Sequence, residues 1–288
     1  MKRSFSMSRQ KVYLDTNVFD SFFRSNPEAF ARCQSAKKRG VLFVGSIEVV
    51  QEIANNRTDL RAAKQSYRRF MDIVSPYLLS RPRTDLIKRE LSTLAPLTDE
   101  FAFYSRKVAR QVFDDIWKDF ESADIDKVCK AFCAERKESF KNDRDQDREI
   151  AERVTVDPAL SFDQFWLRFT QMETFPDLVK GVADHEGGLA PDIEECRRRL
   201  DSIRTFKTAM VITAAQIYAY LNPDCKIKPH KNDTMDAGHA IVASQADIFV
   251  TADTPFLKVL KLAEGSLPYK PMSAEEFVAS VSSGSCAP

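Results

Sequence analysis

Short apolar runs alternate with helical patterns near the start of the chain. Val12, Tyr13 and Leu14 form one run that ends at Asp15, and "VLFVGS" (residues 41–46) forms a second. Between them, residues 21–39 carry apolar side chains at helical spacing, which predicts an amphipathic helix that ends at Gly40. "IEVVQEIAN" predicts a further helix capped by Ser46. Because both strands are apolar throughout, this βαβα order predicts a parallel sheet covered on both faces.

The same alternation returns near the C-terminus. "NDTMDAGHAIVASQA" (232–246) predicts a helix, "DIFVTAD" (247–253) a strand, and "TPFLKVLK" a helix with Pro255 in its first turn. "YKPMSAEEFV" predicts a last extended stretch. We therefore expect one discontinuous α/β domain, formed by residues 10–60 and 223–280, with helices flanking a parallel sheet. The tail, residues 281–288, is expected to be disordered.

The intervening segment, residues 61–222, is predicted to be a mostly α-helical insertion. "FAFYSRKVARQVFDDIWKDF" and "FDQFWLRFTQM" place aromatic and aliphatic residues at helical spacing. The region from Pro191 to Asn222 predicts one long helix, which would span about 45 Å if unbroken at 1.5 Å per residue. We interpret these apolar stripes as core packing and not as cofactor pockets.

Composition restricts the function classes only slightly. The 288 residues are 43% hydrophobic and 30% charged, with a formal net charge of +1, as in ordinary globular proteins. Any nucleic-acid partner must therefore meet a local basic patch. The N-terminus lacks the apolar core of a secretory signal, and no segment has the apolar length of a membrane span. These features favour a cytoplasmic protein without a membrane partner.

The six cysteines are scattered along the chain and do not predict a disulfide framework. Cys129 and Cys133 lie four residues apart on a predicted helix, but no Cys-x-x-Cys pair accompanies them. His185 and His230 belong to no ligand pattern. We interpret the cysteines as buried thiols and not as ligands of a structural zinc ion.

Acidic residues follow or precede the predicted strands in a way that suggests one site. Asp15 ends the first strand and Asp253 ends "IFVTAD", so a parallel sheet would bring both carboxylates to the same edge. Asp236 lies in the first turn of the helix that leads to that strand. Glu52 lies about a turn and a half beyond Ser46 on the second helix. We therefore expect these four acids to converge.

Each acid also has a purely structural explanation. Asp15 and Asp253 precede helices and have the chemistry of N-caps. Asp233 and Asp236 resemble a capping box, and Glu52 fits a solvated helix surface. Only the joint pattern favours a functional site.

That joint pattern resembles the PIN domain family of metal-dependent nucleases. "YLDTNVF", "GSIEVVQE" and "DAGHAIVASQADIFVTADTPFLK" look like the family's successive motifs, over residues 11–56 and 231–279. The third stretch is the most specific, since these residues fall in the family's register: Asp236, His239, Ala240, Ala243, Thr251, Asp253 and Phe256.

The resemblance implies a site residue by residue. It assigns Asp15, Glu52, Asp236 and Asp253 as the catalytic, metal-binding acids. It makes Asn17, Ser46 and Thr251 the supporting polar groups that orient these acids, and His239 a packing or supporting residue.

Clustered carboxylates need a cation. Two like charges about 4 Å apart repel by about 4 kcal/mol at an effective dielectric constant near 20. Since neither histidine nor thiolate is expected among the ligands, hard oxygen donors favour Mg²⁺ or Mn²⁺ over zinc. Such an ion would offset the repulsion of a phosphodiester and lower the pKa of its water.

The expected function is therefore a Mg²⁺- or Mn²⁺-dependent endoribonuclease that hydrolyses RNA phosphodiesters with a metal-activated water. The resemblance favours RNA, single-stranded or structured, over DNA. It also implies products with 5′-phosphate and 3′-hydroxyl ends.

A basic segment could guide the RNA strand. Residues 61–90 contain eight basic residues against three acids. We consider Arg61, Lys64, Arg68 and Arg69 as phosphate contacts, with Tyr67 and Phe70 among them to stack bases. Solvated helix faces explain the basic residues equally well. The same alternative applies to two further basic groups: Arg197, Arg198, Arg199 and Arg204, and Lys226, Lys228 and Lys231.

Several alternatives stay open. The chain could be a catalytically silent PIN module that binds RNA or a protein partner, or a toxin-like nuclease controlled by an antitoxin-like protein, and it could form a homo-oligomer. The long segment at residues 61–222 departs from small PIN toxins. Haloacid-dehalogenase-type phosphatases also place an aspartate after the first strand, but Asn17 stands where they have a second one.

Overall fold

The computed structural model describes residues 10–55, 60–74, 78–121, 154, 156–186, 191–228 and 233–282. Over these residues the chain forms a five-stranded parallel sheet with the strand order β3-β2-β1-β4-β5. The strands are β1 (Lys11–Leu14), β2 (Leu42–Ser46), β3 (Leu79–Ser80), β4 (Ile248–Thr251) and β5 (Lys270–Ser273). The predicted α/β class, with a parallel sheet flanked by helices, is confirmed.

Helices account for most of the remaining described chain. They are α1 (Phe23–Ser25), α2 (Pro27–Lys38), α3 (Ile47–Asn55), α4 (Leu60–Ile73), α5 (Arg83–Thr93), α6 (Asp99–Ala102), α7 (Arg106–Glu121), α8 (Phe162–Phe169), α9 (Phe175–Glu186), α10 (Ile193–Arg199), α11 (Arg204–Leu221), α12 (Asp233–Val242), α13 (Thr254–Leu262) and α14 (Ala274–Ser282). A π-helical turn, Val18–Phe22, precedes α1. Among the described helices, none combines the length and the apolar character needed to cross a membrane.

Strand β1 lies at the centre of the sheet, which explains its uninterrupted apolar sequence. Tyr13 pairs with Val44 of β2 on one side and with Phe249 of β4 on the other. Central strands of parallel sheets are covered on both faces, so side chains on both faces are buried. The N- and C-terminal parts of the chain therefore meet in adjacent strands, and the residues that follow β1 and β4 emerge together.

The first predicted helix is interrupted. Residues 21–39 form the end of the π-helical turn, α1, and then α2, with a break at Asn26. Pro27 occupies the first turn of α2, where it needs no hydrogen-bond donor, and the Asn26 side chain accepts a hydrogen bond from Ala29 N at 3.1 Å. An Asn-Pro pair therefore starts a new helix. As predicted, the chain leaves α2 at Gly40, which has a positive φ of 109°.

The last extended stretch is shorter than predicted. Only Lys270–Ser273 is a strand, and α14 follows at once. Ser273 and Glu276 form a reciprocal cap: Ser273 N donates to the Glu276 carboxylate at 2.8 Å, and Glu276 N donates to Ser273 Oγ at 3.0 Å. This capping box starts the helix directly after the strand.

The long helix predicted between Pro191 and Asn222 is also broken. The chain turns at residues 200–203 between α10 and α11 and buries Leu200 and Ile203. Glu90, from α5, caps the start of α11. It accepts hydrogen bonds from Thr205 N at 3.0 Å and from Phe206 N at 2.8 Å. A continuous helix would have used these amide groups internally, so a distant carboxylate replaces the missing turn.

The segment predicted as a helical insertion also contributes to the sheet. Strand β3 lies in this segment and pairs with the end of β2, with Gly45 opposite Leu79. On its other side, Ser80 forms an antiparallel bridge with Phe103. Helix α11 packs against α12 and α13, and its apolar residues belong to the same core as the strands.

The division into domains stays a prediction, but the described part of the insertion shares the sheet and the core with its flanks. The predicted disordered tail beyond Ser282 and the cysteine pair at residues 129 and 133 lie outside the described residues.

Glu90 predicts a pH-dependent contribution to stability. Burial raises its pKa to about 7, against the lowering effect of hydrogen bonds from Thr205 and Phe206 and of the Arg204 charge. The folded protein therefore holds this proton more tightly than the unfolded chain, so stability is lost as the pH rises through 7. Between pH 5 and 8 we expect this group to remove about 2.5 kcal/mol of unfolding free energy.

Urea unfolding with a chelator at the two pH values checks this. The loss from pH 5 to pH 8 should be smaller by that amount in Glu90→Gln. Asp85→Asn, which changes an exposed acid on the same helix, should keep the original loss. An unchanged loss in Glu90→Gln would contradict this interpretation.

Candidate metal centre

Asp15 lies buried at the end of β1, where strand geometry fixes it. Its backbone N–H donates to Val250 O at 2.9 Å and so extends the pairing of β1 with β4. Its side chain is 1% exposed, yet both carboxylate oxygens accept hydrogen bonds. Oδ1 accepts from Thr16 N at 2.7 Å, and Oδ2 accepts from Thr251 Oγ1 at 2.8 Å and from Asn17 Nδ2 at 2.7 Å. The strand end thus holds a buried carboxylate in a fixed orientation.

Asn17 and Thr251 join the ends of β1 and β4. Besides its bond to Asp15, Asn17 donates to Thr251 Oγ1 at 3.0 Å and accepts from Ala252 N at 2.7 Å. Thr251 Oγ1 also accepts from Asp253 N at 3.0 Å. These contacts match the geometry expected of residues that orient the acids. Their functional role stays a prediction.

Glu52 is held by His239, a contact that the sequence did not indicate. The Glu52 carboxylate lies 2.7 Å from His239 Nε2, and His239 Nδ1 lies 2.9 Å from Tyr13 Oη. The chain of contacts continues from Tyr13 to Ser46 Oγ at 2.7 Å. Ser46 also caps α3, as predicted, because its Oγ accepts from Val49 N at 3.3 Å. Ser46 is thus linked to Glu52 through Tyr13 and His239.

His239 is buried, and it carries the counter-charge of the site. Burial opposes the charged form, but the hydrogen bond to Glu52 and the charges of Asp15, Glu52 and Glu48 raise the pKa of His239 to about 9. A divalent cation beside these groups would favour the neutral imidazole, in which one nitrogen keeps a lone pair. Whether His239 supports the acids, as the resemblance implies, or acts as a ligand stays a prediction.

Asp236 is the acid in the least favourable environment. It is 8% exposed, and no described residue donates a hydrogen bond to its carboxylate. Burial and the charges of Asp15, Asp253 and Glu52 raise its pKa to about 9, although His239 has the opposite effect. The same two causes, burial and the charge of Glu52, raise the pKa of Asp15. Three of the predicted acids therefore act on Asp236 through space.

The Asp253 carboxylate interacts with the start of α13 and with Asp236. Its Oδ1 accepts from Phe256 N at 2.8 Å and so caps α13. The N-cap explanation is therefore correct for this residue, but it does not remove Asp253 from the acidic site, because its charge acts on Asp236. One carboxylate can cap a helix with one oxygen and present the other to a cation.

Two of the four predicted acids, Asp15 and Glu52, form with His239 a group that could hold a metal ion, whereas Asp236 and Asp253 do not belong to this group. Among the described residues, one oxygen of Asp15, one oxygen of Glu52 and one nitrogen of His239 all lie within 4.8 Å of one another. Carboxylates that raise each other's pKa are stabilised by a divalent cation. No histidine was expected among the ligands from the sequence, but α12 places His239 one turn beyond Asp236 and brings one of its nitrogens into this group. A buried tyrosine in an aliphatic strand was the available signal, since its hydroxyl requires a partner.

The four basic residues predicted to contact nucleic acid differ in their exposure and in their contacts within the protein. Arg61 is exposed and Lys64 half-buried, whereas Arg68 stacks over the Trp117 ring at 5.4 Å. Arg69 donates to Phe19 O at 3.4 Å. The role of these four residues stays a prediction.

The expectation that Tyr67 and Phe70 stack bases was wrong. Both aromatic rings are buried, at 1% and 0% exposure. They pack against each other, and Tyr67 donates to Phe113 O at 3.0 Å, because this face of α4 contributes to the core.

The arginines around α10 are engaged within the protein. Arg197 pairs with Glu194 at 2.7 Å, and Arg198 and Arg199 both pair with Glu195. Arg204 donates to Ala246 O at 3.2 Å and to Pro268 O at 2.7 Å. The structural explanation of this basic group is therefore the better one. Of the third group, Lys228 is exposed and Lys231 lies outside the described residues.

Comparison of the chain with protein-family models, with curated proteins and with solved structures gives no match. The site must therefore be interpreted from its own residues.

We expect substitution of Asp236 to raise the stability of the metal-free protein and to weaken metal binding. Asp236→Asn removes a buried acid that has no hydrogen-bond donor among the described residues, so we expect it to raise the unfolding free energy of the metal-free protein at pH 8 by about 2 kcal/mol or more. It should also reduce the stabilisation that added Mn²⁺ provides, because a ligand is lost.

Thermal unfolding with a chelator and with Mn²⁺ measures both effects. The control is Asp224→Asn, which changes an exposed acid and should alter neither value. If metal-free Asp236→Asn were less stable than the metal-free unsubstituted chain, other groups would have to stabilise the Asp236 carboxylate, contrary to this prediction.

Proposed function

We propose that this chain is a Mg²⁺- or Mn²⁺-dependent nuclease that hydrolyses phosphodiester bonds of RNA. The observation that carries the proposal is the group formed by Asp15, Glu52 and His239, whose ligand atoms lie within 4.8 Å of one another. Asp236 lies close enough for the other acids to help raise its pKa to about 9. Perturbed acids that gather at the carboxyl edge of a parallel sheet are typical of functional sites.

The donor set supports a hard divalent cation. Asp15, Glu52, Asp236 and Asp253 would hold it, since all four offer carboxylate oxygens, and His239 lies beside Glu52. A bound Mg²⁺ or Mn²⁺ would offset the charge of the carboxylates and the phosphodiester and would lower the pKa of a water molecule. No side chain has to act as a covalent nucleophile.

The surrounding residues keep the acids in place. Thr251 and Asn17 donate to Asp15 Oδ2, and Thr16 N donates to Oδ1, so this carboxylate is oriented before any ligand arrives. His239 fixes one oxygen of Glu52. Orientation of ligands by such neighbours contributes strongly to metal affinity and activity. RNA is the substrate class that the resemblance to PIN domains favours.

Asp15→Asn tests the reaction. Substitution of a residue that merely orients a metal ligand typically costs about 10- to 100-fold. Loss of a ligand should therefore lower Mn²⁺-dependent cleavage of labelled RNA by at least about 100-fold. The measurement is the initial rate of cleavage, and the end chemistry of the products should be 5′-phosphate and 3′-hydroxyl.

A matched control is Asp247→Asn. Asp247 precedes β4 at the opposite edge of the sheet, where its carboxylate accepts from Lys11 N at 2.8 Å. This variant should cleave RNA like the unsubstituted chain. Equal cleavage by the unsubstituted chain and by Asp15→Asn would contradict the proposal. No cleavage by either would favour a catalytically silent binding module.

A further inference from the structure

Arg81 and Tyr104 form a stacked pair at the end of β3. The Arg81 guanidinium lies over the Tyr104 ring, 5.0 Å from its centroid, and both side chains are half-buried. The backbone fixes both residues, because Arg81 N donates to Ala102 O at 3.0 Å and Tyr104 N donates to Leu79 O at 2.9 Å. Among the residues that the structure describes, no oxygen accepts a hydrogen bond from the Arg81 guanidinium.

This pair lies at the same edge of the sheet as the acids. Ser80, the last residue of β3, is in register with Ser46, the last residue of β2, so the residues that follow both strands emerge together. Glu48, in the first turn of α3, accepts a hydrogen bond from Arg83 N at 3.1 Å. The residues after β3 are thereby tied to the helix that carries Glu52.

A second contact joins this region to the helix that carries Asp236 and His239. The Arg83 side chain lies so close to Gly238 that a Cβ atom there would come within 2.4 Å of its Nη1. The Arg83 guanidinium therefore occupies the space that a side chain at position 238 would take. The charge of Glu48 acts on both Tyr104 and His239, which is consistent with the short path between the pair and the acids.

We infer that the Arg81–Tyr104 pair binds a phosphate of a single-stranded nucleic acid, beside the phosphodiester that lies at the acids. The inference rests on the proposed function and extends it to how the strand is held. A bound metal ion would offset repulsion at the acids themselves, and a guanidinium at their border would attract the adjoining phosphate of the strand. A guanidinium stacked on a ring is weakly hydrated and is held flat, which suits paired hydrogen bonds to phosphate oxygens.

The binding of a short labelled single-stranded RNA to the full chain, with Ca²⁺ in place of Mn²⁺, tests this inference without any cleavage. Arg81→Ala should weaken binding about tenfold and reduce the steepness of its salt dependence by about 0.7, the value for one phosphate of a single strand. Arg81→Lys keeps the charge and should keep the salt dependence, but it loses the stacked geometry.

The matched control is Arg89→Ala. Arg89 also stacks on an aromatic ring, that of Phe101 at 4.0 Å, but both residues are exposed and Arg89 lies in the last two turns of α5. Its loss should leave RNA binding unchanged. DNA of the same sequence distinguishes recognition of the shared phosphate backbone, which predicts a similar loss in Arg81→Ala, from recognition of RNA alone.

Equal RNA binding by Arg81→Ala and the unsubstituted chain would overturn the inference. So would an equal loss in Arg89→Ala, or no binding of RNA by the unsubstituted chain. Cleavage that depends on Asp15 but not on Arg81 would retain the proposed function and remove this inference. RNA binding that depends on Arg81, without any cleavage, would retain the phosphate contact of Arg81 and remove the proposed nuclease function.

Discussion

The burial of negative charge at the carboxyl edge of the sheet is the constraint on which this structure depends. Asp15 is held inside the fold by donors from both adjoining strand ends, and Glu52 is balanced by a charged histidine. Burial and the charges of Asp15, Asp253 and Glu52 raise the pKa of Asp236 to about 9, although the charge of His239 has the opposite effect. Keeping these carboxylates together inside the fold costs stability that a bound cation would restore.

The order of strands and helices around the site was readable from the sequence because its signals are local. Apolar runs of strand length ended at Asp15, Ser46 and Asp253, although β4 itself ends two residues earlier, at Thr251. Residues such as Pro255 and Gly40 marked where helices begin and end. The breaks that sequence reasoning missed depend on distant partners or on a short strand. Glu90 caps α11 from another helix, and β3 has two residues, too few to show any periodicity.

The acids of the site were predictable for the same reason, since each belongs to a strand end or to a helix beside one. Their environment was not. The link from Tyr13 through His239 to Glu52 joins three elements and follows from side-chain directions that no spacing reveals. In the basic segment, the sequence suggested exposed aromatic rings that are in fact buried. Tyr67 and Phe70 lie on the inner face of α4, although charged residues surround them in the sequence.

The antiparallel bridge between Ser80 and Phe103 has a consequence for self-association. Edge strands expose unpaired backbone groups that can recruit a strand from another molecule. Here Arg81 N and Leu79 O, on the outer side of β3, are already bonded to residues 102 and 104. A second copy could not extend the sheet across this border without first displacing that segment. At the β3 edge, residues 102–104 therefore take the place that a strand from a second copy would occupy.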